Sequence, residues 1–297
     1  MRVFVEDGII ALAAQDSRDG KPCFDTAAPL ARSRGAVRVG FKRFGERTVF
    51  DDLYQSGCLR LRMPRRHAGD IAEGVIINTS GGLTGGDRID FAARWGRGAA
   101  VCVCSQAAEK IYRALAGEAR ISNRLDVAEG SEAEWLPQET ILFNGAALDR
   151  RLDVHVEARS TFLGLEGMVL GRTAMREEVT SGRIRDAWRI FRDGKLIYAD
   201  VFRLEGNIAA RLDRAALGAG ARAFATIIFA AQTIAEDLLE NLREALKRAR
   251  GRAAASLWNG ILAARFLAPE GETLRHDVVL ALNVLRNGRA LPRVWQC

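Results

Sequence analysis

Short apolar segments alternating with polar residues at period two follow one another along most of this chain, and that pattern limits it to a largely β fold. From Gly35 onward the candidate strands are Ala36–Phe44, Thr48–Tyr54, Leu59–Met63, Glu73–Asn78, Ile89–Trp95, Ala99–Cys104, Asn123–Val127, Ala133–Leu136, Arg151–Glu157, Thr161–Glu166, Ile184–Arg192, Lys195–Leu204 and Ala223–Phe229. Val37, Val39 and Phe41 fall on one face of the first, and Asp193-Gly194 reads as a hairpin turn between two others. A short helix is expected within Asn207–Leu217. At Thr233 the period changes. Thr233 and Glu236 have the spacing of a capping box, Ile234, Leu238, Leu242 and Leu246 recur at helical spacing, and Gly251 reads as the stop. Ser256–Phe266 reads as one more strand, and Leu274, Val278, Leu282 and Leu285 mark a helical face within Glu272–Asn287. No fixed-period repeat or Pro-rich linker interrupts the series. The expectation is one mostly β domain over residues 35–297 with two late helices, preceded by a partly ordered N-terminal extension, 1–34.

Composition narrows the function. The formal charge is +7, but the basic residues are scattered, with no long basic run and no interleaved aromatics. Such a surface favours ordinary solvated faces or an acidic protein partner over nucleic acid. No apolar run is long enough to span a membrane, and Glu6 and Asp7 break up the N-terminal apolar stretch, so a cytoplasmic location is expected. The five cysteines, with no C-x-x-C pair, argue against a disulfide framework, and His67, His155 and His276 lack close metal-ligand spacing. Cys102 and Cys104 share a strand face, where packing is commoner than ligation of a soft metal, and His155 is the ordinary residue of an alternating strand.

The densest motif is GVIINTSGGLTGGDR, Gly74–Arg88: an apolar strand running into a loop with Gly81, Gly82, Gly85 and Gly86, closed by Asp87. Gly81 and Gly86 have P-loop spacing, yet Asp87 and Arg88 stand where Lys and Ser or Thr would have to follow, so nucleotide binding is disfavoured. Two readings remain open: a structural loop, with Asp87 as its cap, and a loop that aims the Asp87 carboxylate. In EWLPQETILFNGA, Glu134–Ala146, Pro137 interrupts the strand where Gln138 and Glu139 appear. In LGRTAMREE, Leu170–Glu178, Arg172 is placed to pair either with Glu177 or with a carboxylate from another loop.

In this order the blocks NTSGGLTGGDR, QAAEKIYRA, EWLPQETILFNGA and LGRTAMREE closely resemble the urease accessory proteins of the UreD (also called UreH) family, from about Gly35 to Leu285. Ser80 stands where that family usually has proline, and Arg176 where it usually has glycine. The resemblance implies a two-layered, β-helix-like array of short strands with a small C-terminal helical portion. It implies a non-enzymatic maturation factor that binds a UreF-type accessory protein, through it a UreG-type GTPase, and apo-urease, in a dimeric assembly. No tightly bound cofactor is implied; nickel is expected as transient cargo. Carboxylates and carbonyls suit transit better than an imidazole or thiolate cage, because nitrogen-rich sites hold nickel tightly. On this basis Asp87, Glu139 and Glu177 are expected to meet at an interior, water-filled passage, with Gln138 and Arg172 orienting them. The same acids allow a plain cap or ion-pair role. A plain oligomerisation subunit and a carboxylate-based hydrolase using Asp87 and Glu139 stand as alternative functions.

Overall fold

The computed structural model describes residues 31–64, 71–172 and 177–296. From Arg32 onward they belong to one compact unit. The extension expected over 1–34 therefore falls largely outside the described residues, as do His67, Cys23, Cys297 and Arg176.

The winding begins with β1 (Arg34–Phe44), which turns back as β2 (Arg47–Gly57), and continues through β3 (Leu59–Arg62) and β4 (Ala72–Asn78). From there the chain alternates between two sheets. Strands β5 (Arg88–Trp95), β8 (Ala119–Val127), β11 (Ala147–Val156) and β13 (Gly182–Arg192) enter the first sheet. Strands β6 (Ala100–Ser105), β9 (Glu132–Leu136) and β12 (Thr161–Leu170) enter the second. The first sheet runs β14-β13-β11-β8-β5-β1-β2, where β14 is Lys195–Gly206. Its centre is parallel and both edge strands are antiparallel. The second sheet runs β16-β17-β15-β12-β9-β6-β4-β3, with β15 (Ala223–Ala230), β16 (Arg252–Trp258) and β17 (Ile261–Ala268) added antiparallel. The short strands β7 (Glu109–Ile111) and β10 (Thr140–Leu142) pair beside β12. This is a two-layered, β-solenoid-like fold, as expected from the strand series. Successive register partners in the first sheet, Arg88, Arg120, Asp149 and Arg185, lie at unequal intervals along the chain. That inequality is why the sequence shows no fixed period.

Period-two alternation builds the interior. Val37, Phe91, Leu125 and Leu152 from the first sheet meet Val103, Trp135, Phe162 and Met168 from the second. The opposite face of the second sheet, carrying Leu163, Leu165, Ile227 and Phe266, packs on the helices α2 (Glu236–Leu246) and α3 (Gly271–Leu285) through Leu242, Leu246, Leu274, Val278 and Leu282. Strand β6 is buried on both faces, Val101 and Val103 inward and Cys102 toward the helix layer. Burial raises the Cys102 thiol well above its ordinary value, helped by Glu134 nearby, and this disfavours the thiolate a metal would need. Among the described residues no helix is long and apolar enough to cross a membrane.

Three details differ from the sequence reading. Helix α2 starts at Glu236 after Ala235, with no side-chain cap, so Glu236 and Asp237 occupy the first turn and Thr233 lies outside the helix. Gly251 is not the stop of α2, which ends at Leu246; its amide donates instead to Asp277 Oδ2 at 2.8 Å. The segment Ser256–Phe266 is not one strand: Asn259 and Gly260, both at positive φ, turn β16 back into β17. The short helix expected within Asn207–Leu217 is α1 (Ile208–Asp213), capped by the Asn207 side chain.

Candidate functional site

The four motif blocks occupy equivalent places in the winding. Each loop carries the chain from the end of a second-sheet strand to the start of a first-sheet strand: β4 to β5, β6 to β8, β9 to β11 and β12 to β13. Parallel winding therefore stacks them side by side. One register line runs through all four, Leu83 beside Ile111, Ile111 beside Leu142, and Leu142 beside Leu170. These four side chains are fully or almost fully buried. Each contributes about 1.5–3 kcal/mol of burial, enough to fix the loops as one platform.

The glycines serve this stacking. Gly82 has φ +146, and a Cβ there would lie 2.4 Å from the Tyr112 ring and 2.8 Å from Lys110 O. A Cβ at Gly85 would lie 2.2 Å from Ala116 O. The close approach is therefore by the second block and the residues that directly follow it. Asp87 closes the loop: its Oδ1 accepts the Ser33 amide and its Oδ2 the Thr84 amide, both at 2.8 Å. It is 4% exposed, with both oxygens occupied by backbone donors.

Glu177 lies elsewhere on the platform. Its Oε2 accepts Arg172 Nε at 2.8 Å and its Oε1 accepts the Asn144 amide at 3.1 Å. Desolvation alone would raise the Glu177 carboxyl, but Arg172 and the Asn144 amide hold it below its ordinary value. The Arg172 guanidinium also lies over the Phe143 ring, which stacks on the exposed Tyr112. Glu139 faces the helix layer, in a narrow cleft with Pro137, Leu274 and Trp295 and with Arg275 at 3.7 Å. Gln138, 6% exposed, accepts from Arg275 Nη1 at 2.7 Å and donates to Val294 O at 2.7 Å. Asp87, Glu139 and Glu177 thus engage three separate sets of partners. Among the described residues no group of three His, Cys, Asp or Glu side chains is placed to hold a metal ion. An acid–base pairing of Asp87 with Glu139 has no contact to rest on.

The interior behind the platform holds different acids. A cavity of about 80 Å³ between the sheets is lined by apolar residues together with Ser105, Glu109, Asn123, Gln138, Thr140, Arg150 and Glu166. Both Glu109 oxygens accept from Asn78 Nδ2, at 3.1 and 3.0 Å, yet burial keeps its carboxyl raised. Arg150, 3% exposed, bridges the two sheets. Its Nε and Nη2 donate to the Asp186 oxygens at 2.8 and 2.9 Å, and its Nη1 to Thr140 Oγ1 at 2.9 Å and Glu166 at 2.5 Å. Trp135 Nε1 donates to Glu166 Oε1 at 2.9 Å. One arginine among two carboxylates leaves an excess negative charge in an apolar interior. Burial therefore pushes the Glu166 carboxyl up to about 7, against the pull of Arg150. Desolvation opposes the charge on Arg150, but Asp186 and Glu166 keep it protonated.

These interior groups left a signal in the sequence. Arg150 shares its strand phase with Leu148, Leu152 and Val154, and Glu166 stands among apolar residues in β12. A charge in the apolar phase of a strand is buried and must be paired.

Fold and site together define a class: a β-solenoid whose chemistry-bearing loops form one platform beside a mainly apolar cavity that carries a few acids. Comparison with known proteins makes this specific. A family model described as "UreD urease accessory protein" matches residues 33–296. The urease accessory protein UreD of Rhizobium etli is 43% identical over 270 residues, 91% of this chain and 97% of that protein. Those of Chelativorans sp. and Xanthobacter autotrophicus are each 45% identical, covering 90% and 89% of this chain and 95% and 90% of theirs. The chain belongs to the UreD family of urease accessory proteins.

Proposed function

We propose that this protein serves urease maturation as a non-enzymatic scaffold that binds a UreF-type accessory protein, and through it a UreG-type GTPase, docks on apo-urease, and passes nickel toward the urease active site. The observation that carries this reading is the platform. Four sequence blocks, far apart in the chain, are locked into one surface by the buried line Leu83–Ile111–Leu142–Leu170. That surface presents a partly exposed aromatic, Tyr112, the largely exposed Leu115 and the Arg172–Glu177 pair, a mixture suited to protein recognition.

Nickel transit is supported by the donor types. The cavity wall offers Glu109, Glu166 and neutral oxygens, and the platform adds Glu177, with Glu139 under the helix layer. Oxygen ligands spread along a route hold a divalent ion weakly enough to release it. The test is urease activation in cells carrying Glu139→Ala, Glu177→Ala or Glu109→Gln in this chain, with co-purification of the partners as a control. Activation should fall while assembly persists; full activation in all three variants would remove the transit role and leave an assembly subunit.

A further inference from the structure

Among the described residues no layer covers the outer face of the first sheet, although its centre is parallel and such sheets usually have both faces covered. Its composition is also uneven. One register row crosses six strands as Arg203, Arg185, Asp149, Arg120, Arg88 and Arg34. The five arginines are exposed and the aspartate is half-buried. Asp149 is engaged by Arg185 at 2.9 Å, while Glu118 and Glu205 lie at the margins, 3.1 Å from Arg120 and 3.2 Å from Arg203. A depression of about 530 Å³ extends from this row past Asp90, Arg151 and Arg189 to the small side chains of Ala187 and Ala199. The row borders the platform: Arg88 follows Asp87 directly, and the Arg120 amide donates to Asp87 O at 2.9 Å.

We propose that this arginine row and the depression beside it form a docking surface for an acidic face of a partner protein in the urease-maturation complex, which rests on reading the chain as a scaffold. Positive charge in excess of its local acids fits a negatively charged partner, and the guanidinium forks of Arg185, steadied by Asp149 on the neighbouring strand, and of Arg120, steadied by Glu118 just before its own strand, present their remaining N–H groups to carboxylates with little further ordering. Interleaved Asp90, Asp149 and Asp153 would repel the unbroken phosphate line of a nucleic acid, whereas a protein surface can match them with basic residues of its own. A second copy of this chain is a poor occupant, because a two-fold contact would set arginines against arginines.

The test uses the full chain, purified apo-urease, the purified UreF-type protein and a duplex DNA as probes, with binding measured at low and moderate salt. The variant is Arg88→Glu/Arg120→Glu/Arg185→Glu. The control is Lys247→Glu/Arg248→Glu/Arg252→Glu, which makes the same charge change near α2 and on β16. Unfolding midpoints verify that both variants fold. The row variant should weaken one of the two protein associations at least tenfold, abolish most of its salt dependence and leave the other intact, while the control changes neither. Unchanged binding of both proteins to the row variant overturns the docking surface and leaves the scaffold reading standing. Failure of wild-type protein to bind either protein overturns both. Binding of DNA in preference to the proteins, lost in the row variant, assigns the face to nucleic acid and overturns the proposal.

Discussion

The two sheets treat their outer faces in opposite ways. The second sheet buries its outer face under α2 and α3 and encloses an ion pair there: Glu134, 1% exposed, meets Arg286, 0% exposed, at 3.0 Å, with the partly exposed Arg289 at 3.3 Å. Among the described residues the outer face of the first sheet has no such layer and carries Arg–Asp ladders such as Arg189 on Asp153 at 2.7 Å. The same kind of pair is structurally decisive on one side and nearly neutral on the other. In the enclosed pair, loss of one partner strands a desolvated charge; in the open ladder, water replaces the missing partner. The helix layer therefore makes the second sheet a stability element, and the open sheet is free to be a recognition element.

Four measurements test that contrast. Arg286→Ala leaves the buried Glu134 carboxylate with only the partly exposed Arg289 beside it and should cost up to about 3–5 kcal/mol in denaturant unfolding. A loss near that of a surface pair would show that the helix layer is loosely seated. Leu282→Ala, in α3, should cost about 2–5 kcal/mol through the cavity it opens. A third experiment probes the interior between the two faces. Glu166 ionises near 4.5 in the unfolded chain and at about 7 in the fold, so between those values the native state holds more protons. Stability contributed by the neutral acid is therefore lost as pH rises from about 5 to 7 and is level above that. Glu166→Gln should flatten that fall, which is at most a few kcal/mol, when thermal midpoints are compared across the window. A pH profile identical to wild type would mean that Arg150 keeps Glu166 ionised. Arg185→Ala, on the open face, should change stability by less than about 1 kcal/mol by the same unfolding measurement.

Much of this architecture was readable before any coordinates. Alternation in β1, β5 and β11 gives the correct inward faces, because one buried face imposes period two. The strands β7 and β10 were missed because three residues are too few to show a period; they exist through their neighbours in the register line. The Asn259-Gly260 turn was written in the sequence as a hairpin signal and was overlooked between two apolar runs. Capping failed at α2 because Ala235, not Thr233, precedes its first turn. At the site, the four blocks stand out as motifs, and of the two pairings open to Arg172 the structure shows the one with Glu177. Glu139 was placed among interior acids, yet Pro137 ends β9 and the carboxylate that follows points to the helix layer. Arg150 and Glu166 went unnoticed although both stand in the apolar phase of their strands.

The line Leu83–Ile111–Leu142–Leu170 takes one residue from each successive coil. Its contacts are distant in sequence, so the chain must wind through β12 before the last member seats. A copy truncated upstream of Leu170, or one still completing its coils, shows an unfinished edge where the platform belongs. The platform is therefore complete only in a chain whose winding has reached β12.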